Sequence, residues 1–366
     1  MKNENKVISF PHLGNYHIPI RYLLANLLEI KVMEPLPITK KTLEIGSRHS
    51  PDFVCVPFKY NLGNFIESLD RGANILIQAV GGCRFGYYAE LQKQILSDLG
   101  YNFDFIDIIP KGKMGPLSIY KEVKKHNPNI SLIKCLYIFY VGLKMTWSIE
   151  KTEKYIRSHA PFEIKEKSFE YLFKAYLKDL KVATGLKDLN KIIRKYKRLF
   201  KKVKINKTNN HLRVGIIGEL YTSMEPFSTN YIEKRLIEQK IEVTRLTTAT
   251  YLLFRKSRFL KQFGLFRGKY LKYHIGADGT ESIIWAKRFA ELGYDGLIHT
   301  KPFACTPEVD AMHILPRVSR DYKIPILYLS FDSQSSEEGM LTRLEAFCDM
   351  LRMKRREKDE KGLFRG

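Results

Sequence analysis

Cysteine and tryptophan are scarce in this chain, which has five cysteines and two tryptophans among 366 residues. An odd number of cysteines in a long chain argues against a disulfide framework. No two cysteines have the C-x2-C spacing of ferredoxins or zinc fingers, and no G-x4-G-K-[ST] sequence marks a P-loop. Metal binding and simple burial therefore remain the two explanations for the cysteines.

Long apolar runs and a secretion signal are also missing. No stretch approaches about 18 consecutive apolar residues, and the polar N-terminal sequence contains only one short apolar segment. The composition is 44% hydrophobic and 28% charged, which is typical of a globular protein and too apolar for a disordered one. We therefore expect a cytoplasmic protein without a membrane-spanning helix.

Acidic residues are few relative to basic ones, with 39 Asp and Glu against 62 Lys and Arg and a net charge of +23. Such a charge favours anionic partners, but lysine-rich composition is also common in AT-rich genomes. The excess is concentrated in residues 187–207, 255–272 and 352–365. Helical spacing of apolar residues in the first run predicts a solvated helix face. No RNP-like or zinc-finger motif accompanies the basic runs, so nucleic-acid binding is a minor hypothesis.

Strand-like and helix-like segments alternate at both ends of the chain. The apolar run Ala73–Val80 ends in two glycines, as a buried parallel strand followed by a turn into a helix does, and Leu212–Ile217 begins a similar pattern. We predict an α/β protein with two flavodoxin-like or Rossmann-like lobes, each a doubly wound parallel sheet. The lobes are residues 1–115 and 211–366, with a basic helical insert or linker over 116–210.

Three cysteines occupy positions that suit a ligand site. Cys83, in the first lobe, and Cys305, in the second, each follow an apolar strand, where side chains face the crevice at the strand tips. Cys55 lies in a proline-flanked segment of the first lobe that we interpret as a rigid turn. Three thiolates could hold an iron–sulfur cluster and leave one iron open, although their spacing alone favours buried, inert thiols.

The other two cysteines, Cys135 and Cys348, fall within apolar stretches at core positions. Cysteine often behaves as a small hydrophobic residue when it is buried. We predict that both are packing residues.

Polar residues next to these motifs are further candidates. Arg84 and Lys59 could offset the negative charge of a cluster or donate hydrogen bonds to it, or they could lie on the surface. Glu219 follows a strand, where it could act as a general base or pair with a basic neighbour. Glu308 is a candidate cofactor contact or the cap of a helix that begins at Val309. His299, at the end of a strand, fits a core histidine.

Six segments resemble the 2-hydroxyacyl-CoA dehydratase superfamily, and the closest likeness is to its CoA-substrate-specific enzyme activase, or CoA protein activase, branch. The resemblance spans both lobes but not the helical stretch from Tyr120 to Lys207. The most specific segments are GGCRFGYY and GLIHTKPFACTPE. The segments are Pro51–Lys59, Gly81–Tyr88, Gly218–Pro226, Gly296–Glu308, Ile314–Ser319 and Leu341–Leu351.

The resemblance implies a [4Fe–4S] cluster held between two α/β domains by Cys55, Cys83 and Cys305. The fourth iron would be open to substrate, water or a sulfide that bridges two cubanes. Relatives receive low-potential electrons from a separate ATP-hydrolysing iron–sulfur activator protein, and such chemistry suits an anaerobic host.

The resemblance leaves two functions open. The chain could be a reductase or dehydratase-like lyase component, or a non-catalytic electron-relay or scaffold subunit that carries the cluster. The chain has no CoA-binding motif that we can identify, so a thioester substrate stays open. Pairing with itself or with a related subunit is open as well.

Overall fold

The computed structural model describes residues 6–79, 84–108, 116–208, 210–255 and 269–363. It is an α/β fold, 61% helical, with two four-stranded, all-parallel sheets flanked by helices. This confirms the predicted fold class. The chain divides into two compact units. The first unit comprises Met1–Thr152 and Ser168–Val203, and the second comprises Glu153–Lys167 and Lys204–Gly366.

The first unit contains a four-stranded sheet with the strand order β2-β1-β3-β4. Its elements include a 3-10 turn at Arg84–Tyr87 between β3 and α4, and its helix α6 continues into the residues of the second unit. The elements are β1 (Val7–Ser9), α1 (His17–Leu28), β2 (Lys31–Val32), α2 (Lys40–His49), α3 (Val56–Asp70), β3 (Ile75–Ala79), α4 (Tyr88–Asp98), β4 (Asp104–Ile108), α5 (Pro116–His126), α6 (Leu132–His159), α7 (Ser168–Lys181) and α8 (Leu186–Lys202).

A turn over residues 52–53 precedes Cys55, and the Val54 amide donates to the Pro51 carbonyl across it at 3.4 Å; helix α3 follows directly. Cys55 is the N-cap of this helix, and Pro57 lies in its first turn. Proline is favoured there because its missing N–H would have no partner inside the helix and its φ angle is already helical. Pro57 therefore marks a helix start, whereas Pro51 belongs to the turn before it.

Two glycines allow α2 and α3 to pack backbone against backbone. A Cβ atom on Gly46 would lie 1.8 Å from the Lys59 carbonyl oxygen, and one on Gly63 would lie 2.0 Å from the Thr42 carbonyl oxygen. The Thr42 hydroxyl also donates to the buried carboxylate of Glu67 at 3.1 Å. The start of α3, and Cys55 with it, is thus held against α2.

One helical stretch in the described part, Leu132–Phe162, is long and apolar enough to cross a membrane by length and composition, and 44% of its most apolar window is buried. Its buried apolar residues recur at helical spacing on one face. They are Cys135, Ile138, Val141, Met145 and Ile149. This packing is consistent with a core helix of a soluble protein.

Helix α8 carries the first basic run. Leu189, Tyr196 and Phe200 are buried, and the rings of Tyr176 in α7 and Tyr196 lie 5.3 Å apart. The lysines and arginines of α8 are exposed on its other side. The prediction of a solvated basic helix face is confirmed.

The second unit repeats the strand order of the first, as β6-β5-β7-β8. Short 3-10 turns lie at Ala160–Phe162 and Phe227–Thr229, and a π-helical turn lies at Tyr251–Arg255. The elements are β5 (Arg213–Gly218), α9 (Leu220–Met224), α10 (Ile232–Glu238), β6 (Glu242–Arg245), α11 (Gly279–Glu291), β7 (Gly296–Pro302), α12 (Thr306–Tyr322), β8 (Ile326–Phe331) and α13 (Glu337–Leu363).

Every residue of β7 is buried, as expected for a central strand of a parallel sheet covered on both faces. Ile298 belongs to a core cluster with Cys348 of α13, while Leu297 belongs to another with Phe289 of α11. Burial raises the pKa of Cys348 to about 11 and also raises the pKa of Cys135. Both cysteines are buried, which confirms that they are packing residues.

Candidate functional site

Cys305 lies at the carboxyl end of β7 and is the N-cap of α12. The chain turns sharply between the two elements, because Ala304 adopts a left-handed conformation with a φ of 64°. The Phe303 amide donates to the Phe331 carbonyl at 2.7 Å, which holds this turn against β8. Pro307 lies in the first helical turn, and Cys305 itself is half-buried. A rigid backbone thus presents this thiol at the strand tips.

Lys301 is a buried cation four residues before Cys305. Its side chain forms no ion pair with any residue in the described part of the chain, and the residue is only 5% exposed. Burial lowers the pKa of Lys301, while the nearby negative groups of Cys305 and Glu308 act in the opposite direction. A cation beside a cysteine favours its thiolate, which is the form that binds metals.

A fully buried pair, His299 and Glu308, ties β7 to the start of α12. Nε2 of His299 lies 2.6 Å from Oε2 of Glu308, and the Ser282 hydroxyl donates to Oε1 at 3.0 Å. Nδ1 of His299 has no hydrogen-bond partner among the described residues. Because Ser282 belongs to α11, the Glu308 carboxylate joins two helices and a strand behind Cys305.

The helix-cap interpretation of Glu308 is wrong. Helix α12 begins at Thr306 and not at Val309, and Glu308 is its third residue. Its carboxylate contacts His299 and Ser282, so it does not cap the helix. His299 is a core histidine, as the sequence predicted.

Glu219 is the N-cap of α9, directly after β5. Its carboxylate accepts hydrogen bonds from the amides of Tyr221 and Thr222 at 2.9 and 2.8 Å, and from the Thr222 hydroxyl at 2.7 Å. Burial, followed by the charge of Asp278, nevertheless raises the pKa of Glu219 to about 7. A carboxyl group with a pKa near 7 can give or take a proton at neutral pH.

Two glycine contacts bring the neighbouring loops of this edge together. A Cβ atom on Gly279, at the start of α11, would lie 2.2 Å from the Pro307 carbonyl oxygen. Gly218 has a φ of 134°, and its Cβ atom would lie 1.9 Å from the Thr300 carbonyl oxygen. Asp278, the residue at the N-cap position of α11, also accepts a hydrogen bond from the Leu220 amide at 3.1 Å. The loops of Glu219, Asp278 and Cys305 thus share the carboxyl edge of the second sheet.

The first unit places Cys55 in a different environment. The Cys55 sulfur lies 2.7 Å from the hydroxyl oxygen of Tyr88, the first residue of α4. The Tyr88 ring is buried and packs edge-on against Phe58 at 4.8 Å between centroids. Lys59 lies in the first turns of α3 and is partly buried. Cys55 as a residue is half-buried.

The remaining candidates fall partly outside the description. Cys83 lies outside the described residues, and so does the side chain of Arg84, although Arg84 begins a 3-10 turn. Within the described ranges, no three His, Cys, Asp or Glu side chains are grouped to hold a metal ion. The three-cysteine ligand set therefore stays a prediction.

Sequence reasoning missed Lys301 and Asp278. Lys301 is the sixth residue of β7, which is buried throughout and has the sequence GLIHTKP. This lysine was an available signal, because a charged residue in a buried strand requires a partner or a function. Asp278 gave no comparable signal, since its proximity to Glu219 depends on how two loops meet.

Comparison with known proteins adds no relative. A scan against protein-family models and a search of curated proteins both find no match to this chain. The candidate site is therefore defined by the geometry of its own residues.

Proposed function

We propose that this chain is an iron–sulfur protein that binds a [4Fe–4S] cluster through Cys55, Cys83 and Cys305 and leaves one iron open. The observation that supports this most is the shared placement of the two described cysteines. Cys55 and Cys305 are each half-buried N-caps of a helix with proline in its first turn. Cys135 and Cys348, by contrast, are buried in the core.

Cys55 also contacts the first residue of the helix that follows the second predicted ligand in the sequence. Its sulfur contacts Tyr88, and Cys83 precedes Tyr88 by five residues in the sequence. Tyr88 begins the helix that follows β3, at the carboxyl edge of the first sheet. Ligands of parallel α/β sheets bind at that edge, which favours a site there.

The donor set fits an iron–sulfur cluster. Thiolates are the usual ligands of such clusters, and the N-terminus of a helix favours negative charge. Lys301 adds a buried positive charge beside Cys305, and Lys59 follows Cys55 by four residues. When bound, a cluster with an open iron would supply a Lewis acid or a one-electron donor.

The protein residues would have separate roles around this site. The His299–Glu308 pair holds the start of α12 in place, while Lys301 and Arg84 offset negative charge. Glu219, with a pKa of about 7, holds or releases a proton at its carboxylate. We propose low-potential reduction or dehydration as the reaction class, with an ATP-hydrolysing activator protein as electron donor and the cytoplasm as location.

Serine variants test the ligand assignment. Cys55→Ser, Cys83→Ser and Cys305→Ser should each lose most of the bound iron, because serine is a poor substitute for thiolate as an iron ligand. Cys348→Ser should keep the iron content of the unmodified chain, because Cys348 is a core residue. Iron and acid-labile sulfide per folded chain are measured after anaerobic purification. Equal iron loss in Cys83→Ser and Cys348→Ser would contradict the assignment.

A further inference from the structure

The second unit contains a cavity of about 450 Å³ along its edge strand β6, and Cys305 is not among the residues that line it. Its walls come from the end of α6, from β6 and from α11 with the turn that follows it. Four basic side chains and two large aromatic side chains, a tryptophan and a tyrosine, line this cavity. They are Lys154, Arg157, Arg245, Arg288, Trp285 and Tyr294.

Two of the four cations are neutralised by carboxylates. Nε of Arg245 donates to Glu233 at 2.6 Å, and Nη1 of Arg157 donates to Glu233 at 3.3 Å. Glu153 lies 3.8 Å from both guanidinium groups. Arg157 and Arg245 are 3% and 6% exposed, so this network forms a buried, rigid wall. Buried arginines of this kind persist only when they are paired.

The other two cations have no such compensation. Lys154 and Arg288 form no ion pair with any residue that the structure describes, and both are exposed. Glu242 is the acidic residue among those that line the cavity, and its carboxylate is already 2.7 Å from both Lys207 and His211. The buried Nε of Arg157 has no acceptor among the described residues. The cavity therefore has an excess of positive charge and one hydrogen-bond donor, Nε of Arg157, that has no acceptor among the described residues.

We propose that this cavity binds a small phosphorylated molecule with a planar body. Its phosphoryl group would bind Lys154, Arg288 and Arg157, because guanidinium and ammonium groups match phosphate oxygens in charge and hydrogen bonding. Its planar body would pack against Trp285 and Tyr294. The cavity volume falls in the range of small-molecule sites, roughly 300–1,000 Å³. This inference is independent of the cluster.

Calorimetric titration with AMP, pyrophosphate and adenosine tests the proposal on the full chain. AMP should bind, and the Lys154→Ala/Arg288→Ala double variant should weaken that binding about tenfold or more, because charge-assisted hydrogen bonds are lost. Trp285→Leu should weaken AMP binding but leave pyrophosphate binding unchanged. Both charge substitutions are at exposed positions, so the double variant should fold normally, which circular dichroism checks.

The control is Lys234→Ala, which removes an exposed positive charge of the same unit away from the cavity. It should leave AMP affinity unchanged. Absence of AMP and pyrophosphate binding to the unmodified chain would overturn the proposal. Equal weakening by Lys234→Ala and by the Lys154→Ala/Arg288→Ala double variant would overturn it too, because it would indicate general attraction to a basic protein.

Discussion

The two units have the same strand order but place their cysteines in different surroundings. In the first unit, the Cys55 thiol contacts a neutral phenol, Tyr88, and its helix is positioned by glycine contacts. In the second unit, buried Lys301 interacts electrostatically with both Cys305 and Glu308, and Glu308 is paired with buried His299. One scaffold therefore carries two kinds of local chemistry, and the difference arises from its loops and helix starts.

The candidate residues occupy corresponding places in the chain order of the two sheets. Cys305 follows the third strand of its sheet, as Cys83 follows the third strand of the first sheet in the sequence. Cys55 caps the helix that leads into a third strand, and Asp278 occupies that place in the second unit. The first unit thus has two predicted ligands and the second has one together with a carboxylate.

The largest difference in stability should come from removing buried carboxylates. Glu308→Ala should lower the free energy of unfolding by about 3–5 kcal/mol, because it leaves His299 buried without its partner. Glu67→Ala in the first unit should cost about 1–3 kcal/mol, since Glu67 accepts from the neutral groups of Thr42 and Asn64. Urea unfolding measures both. Equal costs would contradict the larger contribution that we assign to the His299–Glu308 contact.

Glycine variants test how each cysteine-capped helix is positioned. Gly46→Ala in the first unit and Gly279→Ala in the second should each cost about 3 kcal/mol, because the added methyl group overlaps a carbonyl oxygen. Gly72→Ala is the control. It has a φ of 94° but no atom within 4 Å of the added Cβ, so it should cost only about 1–2 kcal/mol. Thermal unfolding measures the stability of the three variants. A larger loss of stability in Gly72→Ala than in Gly46→Ala and Gly279→Ala would contradict the close backbone contacts at Gly46 and Gly279.

The smallest expected effect concerns Glu219, whose pKa of about 7 lies above its ordinary value of 4.5. The folded state holds the proton more tightly, so this group's contribution to stability decreases as pH rises from about 4.5 to 7. Glu219→Gln should therefore gain stability over the unmodified chain across that window. The gain should reach about 2 kcal/mol at pH 8, after allowance for partial solvent access.

Urea unfolding at pH 4.5 and pH 8 measures this gain. The exposed Glu166→Gln is the control and should show none of it. A gain that is the same at both pH values would show that the charge of Glu219 is not the cause.

The sequence predicted the sheets better than the site. Apolar runs such as Ala73–Val80 identified strands because buried parallel strands have little other sequence freedom. Helix α3 was missed because Pro57 fits both a turn and a helix start. Helix α12 begins earlier than expected, and it continues through an internal proline, Pro316. The pairing of His299 with Glu308 depends on how a strand end meets the next helix. Local sequence patterns do not specify such contacts.

Iron and acid-labile sulfide analysis of the anaerobically purified chain tests the central claim most directly. We predict about four irons and four sulfides per chain, with a broad visible absorption that dithionite bleaches. A colourless protein that stays free of iron after anaerobic reconstitution would contradict the cluster proposal. Cys55 and Cys305 would then be N-cap residues without a ligand role.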